Sequence, residues 1–248
     1  MHIILLRGLA REAAHWAQFP HHLQHALGSE WKIHCIDFPG CGVHYQQPAL
    51  DSIHSMTDFA RTQIAGLKIT EPIYVVGISM GGMVALNWAQ QFPAQIAGAA
   101  LINSSAGDHP LHWRLRPQSW PAMIAAILLP MRLREALVLR HVSNDHTDFD
   151  AHLQHWISIQ QQRPVSRSTI ITMLVAAAHF RPQSTWITKG LIVASEADRF
   201  VSHKASIELA QRLGWPLTIH PTAGHDIPLD DVQWLCAQVT NWIQLLPK

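Results

Sequence analysis

The 248-residue sequence has few cysteines and few charged residues. Its three cysteines, Cys35, Cys41 and Cys236, form no CxxC pair and are too few and too widely spaced for a disulfide scaffold, so we expect reduced, largely buried thiols. Charged residues make up 14% of the chain, its formal net charge is +1, and Lys and Arg form no block. This distribution provides no basic patch that would bind phosphate backbones or anionic lipid, so we expect no nucleic-acid partner.

Long hydrophobic runs and a targeting pattern are also missing. The longest apolar stretch, residues 120–131, contains two prolines and is shorter than the roughly 20 residues that a membrane span needs. The first apolar run, residues 3–6, has no basic segment before it. A secretory signal has a basic segment followed by a longer apolar one, so this pattern does not indicate a signal. We therefore expect a cytoplasmic protein without a membrane span. The 18 histidines form no HExxH-like pair, and no metal site is expected.

Apolar residues, by contrast, make up 48% of the chain, enough for one substantial core domain. Short runs rich in Ile, Val and Leu alternate with longer amphipathic stretches, which predicts βαβ units with right-handed crossovers. The expected fold class is therefore α/β, an open parallel sheet with helices on both faces. The predicted strands are residues 3–6, 33–38, 73–78, 97–102, 191–194 and 217–220, and the predicted helices are residues 15–27, 53–67, 80–92, 204–213 and 232–245.

The alternation stops at residues 108–187, where strand-like runs vanish and prolines separate helical segments. We expect this inserted segment, residues 108–187, to form a helical cap or lid. The core domain would then consist of residues 1–107 and 188–248.

A GxSxG pentapeptide, Gly77 to Gly81, lies between a predicted strand and a predicted helix. In that context the serine sits at a sharp, strained turn that raises its hydroxyl above the sheet. Side chains at Gly77 and Gly81 would collide with neighbouring backbone. The pattern predicts Ser79 as a nucleophile.

A serine hydroxyl is a weak nucleophile near neutral pH, so it requires a general base and an acid that orients the base. His225 follows the last predicted strand, directly after Gly224 and shortly before a predicted helix, and is the candidate base. Asp198 follows the strand at 191–194 and is the preferred acid. Glu196, two residues away, and Asp108, which follows the strand at 97–102, remain alternatives. All these loops reach the carboxyl edge of the sheet, where ligands bind in such folds.

Acyl transfer also needs two donors for the developing oxyanion. One is ordinarily the backbone amide after the nucleophile, here that of Met80. The second is expected from the loop after the first strand, where Leu9 is the candidate and Gly8 allows the backbone to approach the site. An ordinary turn glycine is the alternative interpretation of Gly8.

With these residues placed, the chain resembles the α/β-hydrolase superfamily over nearly its full length, in particular its small bacterial carboxylesterase-like members. The matching pieces are Leu6-Arg7-Gly8, the D-x-P-G-x-G run at 37–42, the elbow at 77–82, Asp198, and Gly224-His225. The resemblance implies the α/β-hydrolase fold with about six mostly parallel strands, a catalytic Ser79, Asp198 and His225, and no cofactor. Most relatives carry histidine where this chain has Arg7. That guanidinium could recognise a carboxylate or brace its loop through Glu12 or another acid.

The leading hypothesis is therefore hydrolysis of a small-molecule carboxylic ester, with a small to medium acyl chain, through an acyl-enzyme. Thioesterase, carbon–carbon hydrolase and menaquinone-pathway-type lyase activities use the same residues in this superfamily, and a ligand-sensing protein without turnover is a further alternative. Apolar residues of the inserted segment would line the acyl pocket or pack the cap onto the core. The candidates are Trp113, Trp120, Met123, Ile124, Ile127, Leu128 and Met131.

A carrier-bound acyl chain is another possible substrate, because the resemblance includes biotin-pathway methyl esterases. A basic strip at Arg132, Arg134 and Arg140 could meet an acidic carrier protein. A solvated helix face is the alternative reading of these arginines. The sequence does not indicate an oligomeric state.

Overall fold

The computed structural model describes residues 1–183 and 189–246 and contains one six-stranded sheet in which every paired strand is parallel. This confirms the predicted α/β fold with a parallel sheet of about six strands. The spatial order is β2-β1-β3-β4-β5-β6. The strands are β1 (His2–Leu6), β2 (Lys32–Ile36), β3 (Ile73–Ile78), β4 (Ile96–Ile102), β5 (Gly190–Ser195) and β6 (Leu217–His220).

Alternating side chains of β1 face two separate hydrophobic clusters, because successive residues of a strand point to opposite faces of the sheet. Ile4 and Leu6 pack into one cluster, and Ile3 and Leu5 pack into the other. All four are fully buried. The sheet is therefore covered on both faces, as parallel sheets require.

Eleven α-helices surround the sheet in the described part of the chain. Helices α2 and α3 pack together on one face, and α1 packs against α11 on the other. The helices are α1 (Phe19–Leu27), α2 (Ile53–Gly66), α3 (Met80–Gln91), α4 (Leu111–Arg114), α5 (Trp120–Leu128), α6 (Met131–Val142), α7 (Phe149–Gln162), α8 (Arg167–His179), α9 (His203–Leu213), α10 (Ile227–Asp230) and α11 (Val232–Leu245).

The first residue before a helix usually caps it through its own side chain. Ser52 accepts a hydrogen bond from the Ser55 amide at the start of α2, and Asp231 accepts one from Trp234 at the start of α11. Ser79 holds the same position before α3 but makes no such cap. Its hydroxyl is therefore left available for another role.

Helices α4 to α8 occupy the described part of the inserted segment, between β4 and β5. Several of their side chains join Phe200, which follows β5, and Leu229 of α10 in a third hydrophobic cluster, which centres on Leu139, Val142 and Trp156. The predicted domain boundary at 187/188 and the last predicted core residue, Lys248, lie outside the described residues, so the division into core and cap stays a prediction. No helix in the described ranges is long and apolar enough to span a membrane.

Candidate active site

Ser79 occupies the sharp turn between β3 and α3, with φ +57° and ψ −119°. A non-glycine residue at positive φ is strained and is held there by its surroundings. The glycines on either side make the turn possible. A Cβ at Gly77 would collide with the backbone of Gly81, and a Cβ at Gly81 would collide with the carbonyl oxygen of Leu6.

Three neighbours fix the Ser79 backbone. The amide of Ser79 donates to Ile102 O at 2.8 Å, and Ser104 Oγ donates to Ser79 O, also at 2.8 Å. Gly8, in the loop after β1, lies so close that a Cβ there would come within 3.1 Å of Ser79 Cβ. The loop after β1 therefore approaches the serine as closely as the sequence predicted, and a side chain at position 8 would press on it.

His225 and Asp198 meet at the same edge of the sheet. His225 Nδ1 lies 2.7 Å from Asp198 Oδ2, and both side chains are buried. The other carboxylate oxygen of Asp198 accepts the amides of Phe200 and Val201, at 2.6 and 3.0 Å. Burial lowers the pKa of His225, but the charge and hydrogen bond of Asp198 outweigh it, so the net pKa is raised above the usual 6.5.

The alternative acids lie elsewhere. Asp108 forms an ion pair with Arg212 at 2.9 Å, and Glu196 is exposed to solvent. Asp226, next to His225 in sequence, is bound by Arg7. Of the carboxylates weighed from the sequence, Asp198 is the one that the fold brings to the His225 ring.

Asn103 directly follows β4 and hydrogen-bonds to the loop that carries His225. Its side-chain amide donates to His225 O at 2.9 Å and to Gly224 O at 3.3 Å, and its oxygen accepts the amide of Ser195 at 2.8 Å. Asn103 thereby joins the ends of β4 and β5 to the loop after β6. Sequence reasoning missed this role, because the partners lie about ninety or more residues away along the chain.

Arg7 braces this site through Asp226. Its Nη1 donates to Oδ1 at 3.1 Å and its Nη2 to Oδ2 at 2.5 Å, in a bidentate pair in which each side chain is only 4% exposed. Its guanidinium carbon also lies 4.9 Å from the ring centre of Trp16. Glu12, the acid named from the sequence, instead binds Arg163 of the inserted segment.

The two candidate oxyanion donors flank Ser79. Met80 is the first residue of α3, where a helix amide has no partner within its helix. Leu9 is half-buried in the turn after β1, in which the Arg11 amide donates to Gly8 O at 3.3 Å. Neither amide has an acceptor among the described residues.

A cavity of about 110 Å³ opens beside Ser79. Ser79 and His225 both line it, as do Arg7 and Leu9 from the first loop. Most of the remaining wall is apolar and comes from the inserted segment. Those residues are Met123, Ala126, Val138, Val142, Val165 and Ile170.

Most of the pocket residues expected from the inserted segment lie elsewhere. Met123 lines the cavity, but Trp120 and Ile124, which lie on α5 with it, are 43% and 59% exposed. Helix α5 turns only one face to the cavity, that of Met123 and Ala126, so its other apolar side chains face solvent or pack on neighbours. Those outside the cavity lining are Trp113, Trp120, Ile124, Ile127, Leu128 and Met131.

The cavity also has a polar wall that sequence reasoning missed. Arg11, Arg134, Glu135 and Gln160 line it, and Arg134 is buried rather than part of a solvated basic strip. Arg132 and Arg140 do face solvent. Charged residues lie at the surface by default unless they are paired. Glu135 pairs with Arg11, which is 124 positions away in the sequence, as well as with the adjacent Arg134. Within the described residues, no cluster of His, Cys, Asp and Glu could hold a metal ion.

A family model described as the alpha/beta hydrolase family matches residues 3–238. The chain belongs to this family. The elbow at Ser79 and the His225 loop both fall within the match.

Curated relatives are esterases. The chain is 25% identical over 173 residues to the pimeloyl-[acyl-carrier protein] methyl ester esterase of Chromobacterium violaceum, a match covering 69% of this chain and 60% of that relative. It is 23% identical over 222 residues to the enzyme of the same name from Aeromonas hydrophila, covering 84% of this chain and 80% of that one.

Among solved structures, the enol-lactonase from Burkholderia xenovorans superimposes with a TM-score of 0.79 at 19% identity. That likeness covers 98% of this chain and 91% of the lactonase. At this identity the superposition shows a shared fold.

Proposed function

We propose that the chain hydrolyses a carboxylic ester, with Ser79 as nucleophile, His225 as general base and Asp198 as the acid that orients the base. The observation that carries the proposal is the common cavity lined by Ser79 and His225, with His225 Nδ1 2.7 Å from Asp198. The family membership and the esterase relatives support the same reaction class.

The chemistry follows from the orientation of the imidazole. Because Nδ1 faces a carboxylate, it carries the proton, and Nε2 is left with the lone pair that accepts the Ser79 proton. Ser79 Oγ then attacks the ester carbonyl, and His225 passes the proton to the departing alcohol. Water repeats the sequence on the acyl-serine, which releases the acid and restores the serine. No metal or organic cofactor takes part in these steps.

The oxyanion is stabilised by the amides of Met80 and Leu9 in this proposal. Hydrogen-bond donors that the fold holds in place before the reaction stabilise the negative charge of the oxyanion, because they do not have to reorient as it develops. The helix start fixes Met80. The ion pairs of Arg7 with Asp226 and of Glu12 with Arg163 fix the loop that carries Leu9.

The acyl chain occupies the apolar part of the cavity. Met123, Val138 and Val142 supply apolar surface there, and a volume of about 110 Å³ suits a short to medium chain. In this proposal the inserted segment acts as the cap over the site.

The test is a series of p-nitrophenyl esters of increasing acyl length, assayed with the native protein and with Ser79→Ala. We expect turnover of short to medium chains by the native protein and none by the variant. Ser206→Ala is the matched control, since Ser206 lies in α9 and does not line the cavity. Equal turnover by the native and Ser79→Ala proteins contradicts the nucleophile, and no turnover by the native protein contradicts ester hydrolysis.

Cleavage of a methyl ester on a carrier-bound acyl chain is the second candidate. It is favoured by the names of the curated relatives and by the exposed Arg132 and Arg140 on α6, which could meet an acidic carrier. The test compares a methyl-esterified acyl chain attached to a carrier protein with the same ester free in solution. A higher kcat/KM for the carrier-bound ester, lost in Arg132→Glu with Arg140→Glu, supports it. Equal values contradict it.

A further inference from the structure

Three arginines and two carboxylates line the cavity beside Ser79, so its charged lining carries one uncompensated positive charge. Arg7 and Asp226 neutralise each other. Glu135 accepts Arg11 Nη1 at 2.7 Å through one oxygen and Arg134 Nε at 3.1 Å through the other, so one carboxylate serves two guanidinium groups. His225 is neutral when it acts as the base and adds no charge.

Each of the three nitrogens of the Arg134 guanidinium has an acceptor. Its Nη2 donates to Gln160 at 2.9 Å and its Nη1 to Val165 O at 3.5 Å, in addition to the Glu135 contact. Arg11 differs. Its Nη1 binds Glu135, while its Nε and Nη2 have no acceptor among residues 1–183 and 189–246.

The free edge of Arg11 has the geometry of a carboxylate site. Nε–H and Nη2–H form the side edge of the guanidinium plane, which donates two parallel hydrogen bonds to the two oxygens of a carboxylate. The plane is held in place by Glu135 and by Trp156, whose ring centre lies 4.3 Å from the guanidinium carbon. Because these contacts already restrict the side chain, Arg11 loses little conformational entropy when it binds a ligand.

The nearby acids Glu12 and Asp37 form no ion pair or hydrogen bond with Arg11. Glu12 is bound by Arg163 through Nε at 2.9 Å and Nη2 at 2.5 Å. The oxygens of Asp37 accept the amides of Ala13 and Val43 at 2.6 and 3.0 Å. Neither residue lines the cavity.

Arg11 also lies close to the reacting centre. It closes the turn that begins at Gly8 and contains Leu9, and the first and fourth Cα atoms of such a turn lie within about 7 Å of each other. Arg11 also lines the same cavity as Ser79 and His225, so a group bound by Arg11 would share that cavity with the ester.

We infer that Arg11 binds a carboxylate of the substrate, so that the ester cleaved here carries a second, anionic group. This inference rests on the proposed function, because it takes ester hydrolysis as the reaction. The carboxylate is recognised by residues other than those that carry out the reaction. Arg11 would be a specificity-determining residue, and the Glu135–Arg134–Gln160 group would hold it in place.

The experiment uses pairs of esters that differ only in a carboxylate or a carboxamide. One pair carries this group on the acyl side, as the mono-p-nitrophenyl ester of glutaric acid and its terminal amide. The other carries it on the alcohol side, as para-acetoxybenzoate and para-acetoxybenzamide. We expect the native protein to favour the carboxylate in at least one pair by about ten-fold or more in kcat/KM, the scale of a charge-assisted hydrogen bond.

Arg11→Gln should bring that ratio close to one by raising KM for the carboxylate ester alone. Glu135 keeps its Arg134 contact in this variant. Arg163→Gln is the matched control, because it removes another ion pair between the first loop and the inserted segment, yet Arg163 does not line the cavity. It should keep the preference.

Two results overturn the inference. One is equal turnover of acid and amide by the native protein in both pairs, and the other is an equal loss on both substrates in Arg11→Gln, which would assign Arg11 to bracing. If the native protein cleaves no ester at all, the proposed function fails while the recognition can still be tested. Glutarate should then raise the Tm of the native protein and leave that of Arg11→Gln unchanged, and no Tm shift in either protein would overturn the inference.

Discussion

Arg7 and Asp226 form a bidentate, almost fully buried ion pair between the loop after β1 and the loop that carries His225. The two residues are 219 positions apart in the sequence. The loop bearing one candidate oxyanion donor and the loop bearing the candidate base are therefore held to each other directly, at the point where the substrate cavity begins.

Arg7→Met should destabilise the protein by about 3–5 kcal/mol, because it leaves the Asp226 charge buried and unpaired. The free energy of unfolding, measured by denaturant titration, checks this. Arg7→Met combined with Asp226→Leu removes both charges and should recover much of the loss. A single variant as stable as the native protein would show that the pair contributes little.

Asp198→Asn should lower kcat by about four orders of magnitude, since the imidazole loses the partner that fixes its tautomer. The native pH profile of kcat/KM should fall on its acid side with a midpoint above 6.5, because Asp198 raises the His225 pKa and protonated His225 cannot act as a base. The residual activity of the variant should have this midpoint shifted to lower pH. Asp108→Asn removes the rival acid and should leave rate and profile nearly unchanged.

Gly8→Ala should lower kcat/KM by about ten-fold or more with the fold intact, because its Cβ would come within 3.1 Å of Ser79 Cβ and displace the nucleophile or the loop. Gly66→Ala is the control, since a Cβ there meets no atom within 4 Å. It should keep full activity and gain up to about 1 kcal/mol of stability from helix propensity. Equal activity of both variants would mean that the loop can shift without cost to the reaction.

The protein should lose stability as the pH falls below about 6.5, partly through His15. Burial holds the His15 pKa well below 6.5, and the positive charges of Arg11 and Arg7 add to this. Unfolding therefore takes up a proton on this residue between its unfolded and folded pKa values. His225 opposes the trend, because its raised pKa favours the folded state at low pH.

His15→Asn isolates the contribution of His15. The asparagine oxygen can replace Nδ1 as acceptor for the Glu12 amide, a contact of 3.1 Å in the native protein. Unfolding free energies measured at a series of pH values should decline less steeply in this variant. An unchanged slope would assign the acid loss to other groups.

The fold was predictable because its signals are local. Each strand is a short apolar run, and observed boundaries differ from the predicted ones by two residues at most, as in β2. The helix expected over 15–27 forms instead as a short 3-10 turn, Ala13–Trp16, and then α1. Ala17, at φ +48°, separates the two, and Pro20 lies in the first turn of α1, where its missing amide costs nothing.

A site residue was predictable only where it lay in a motif or directly after a predicted strand. Ser79 lies in a motif, and His225 and Asp198 follow strands, so their meeting at the sheet edge follows from parallel topology. The partners of Arg7 and Arg11 could not be inferred, because charge pairing between residues far apart leaves no periodic pattern in the sequence. The orientation of α5 was equally hidden, since its apolar residues surround the whole helix.

The loop from Arg7 to Glu12 is tied to the histidine loop through Asp226, to α6 through Glu135 and to the end of α7 through Arg163. A chimera that grafts another family member's inserted segment onto this core would keep the first tie and lose the other two. Such a graft should be less stable than the native protein unless Glu135 and Arg163 are introduced into it. The two parts of the chain are therefore expected to be inherited as a matched set, and recombination between relatives should succeed where the breakpoints preserve these ion pairs.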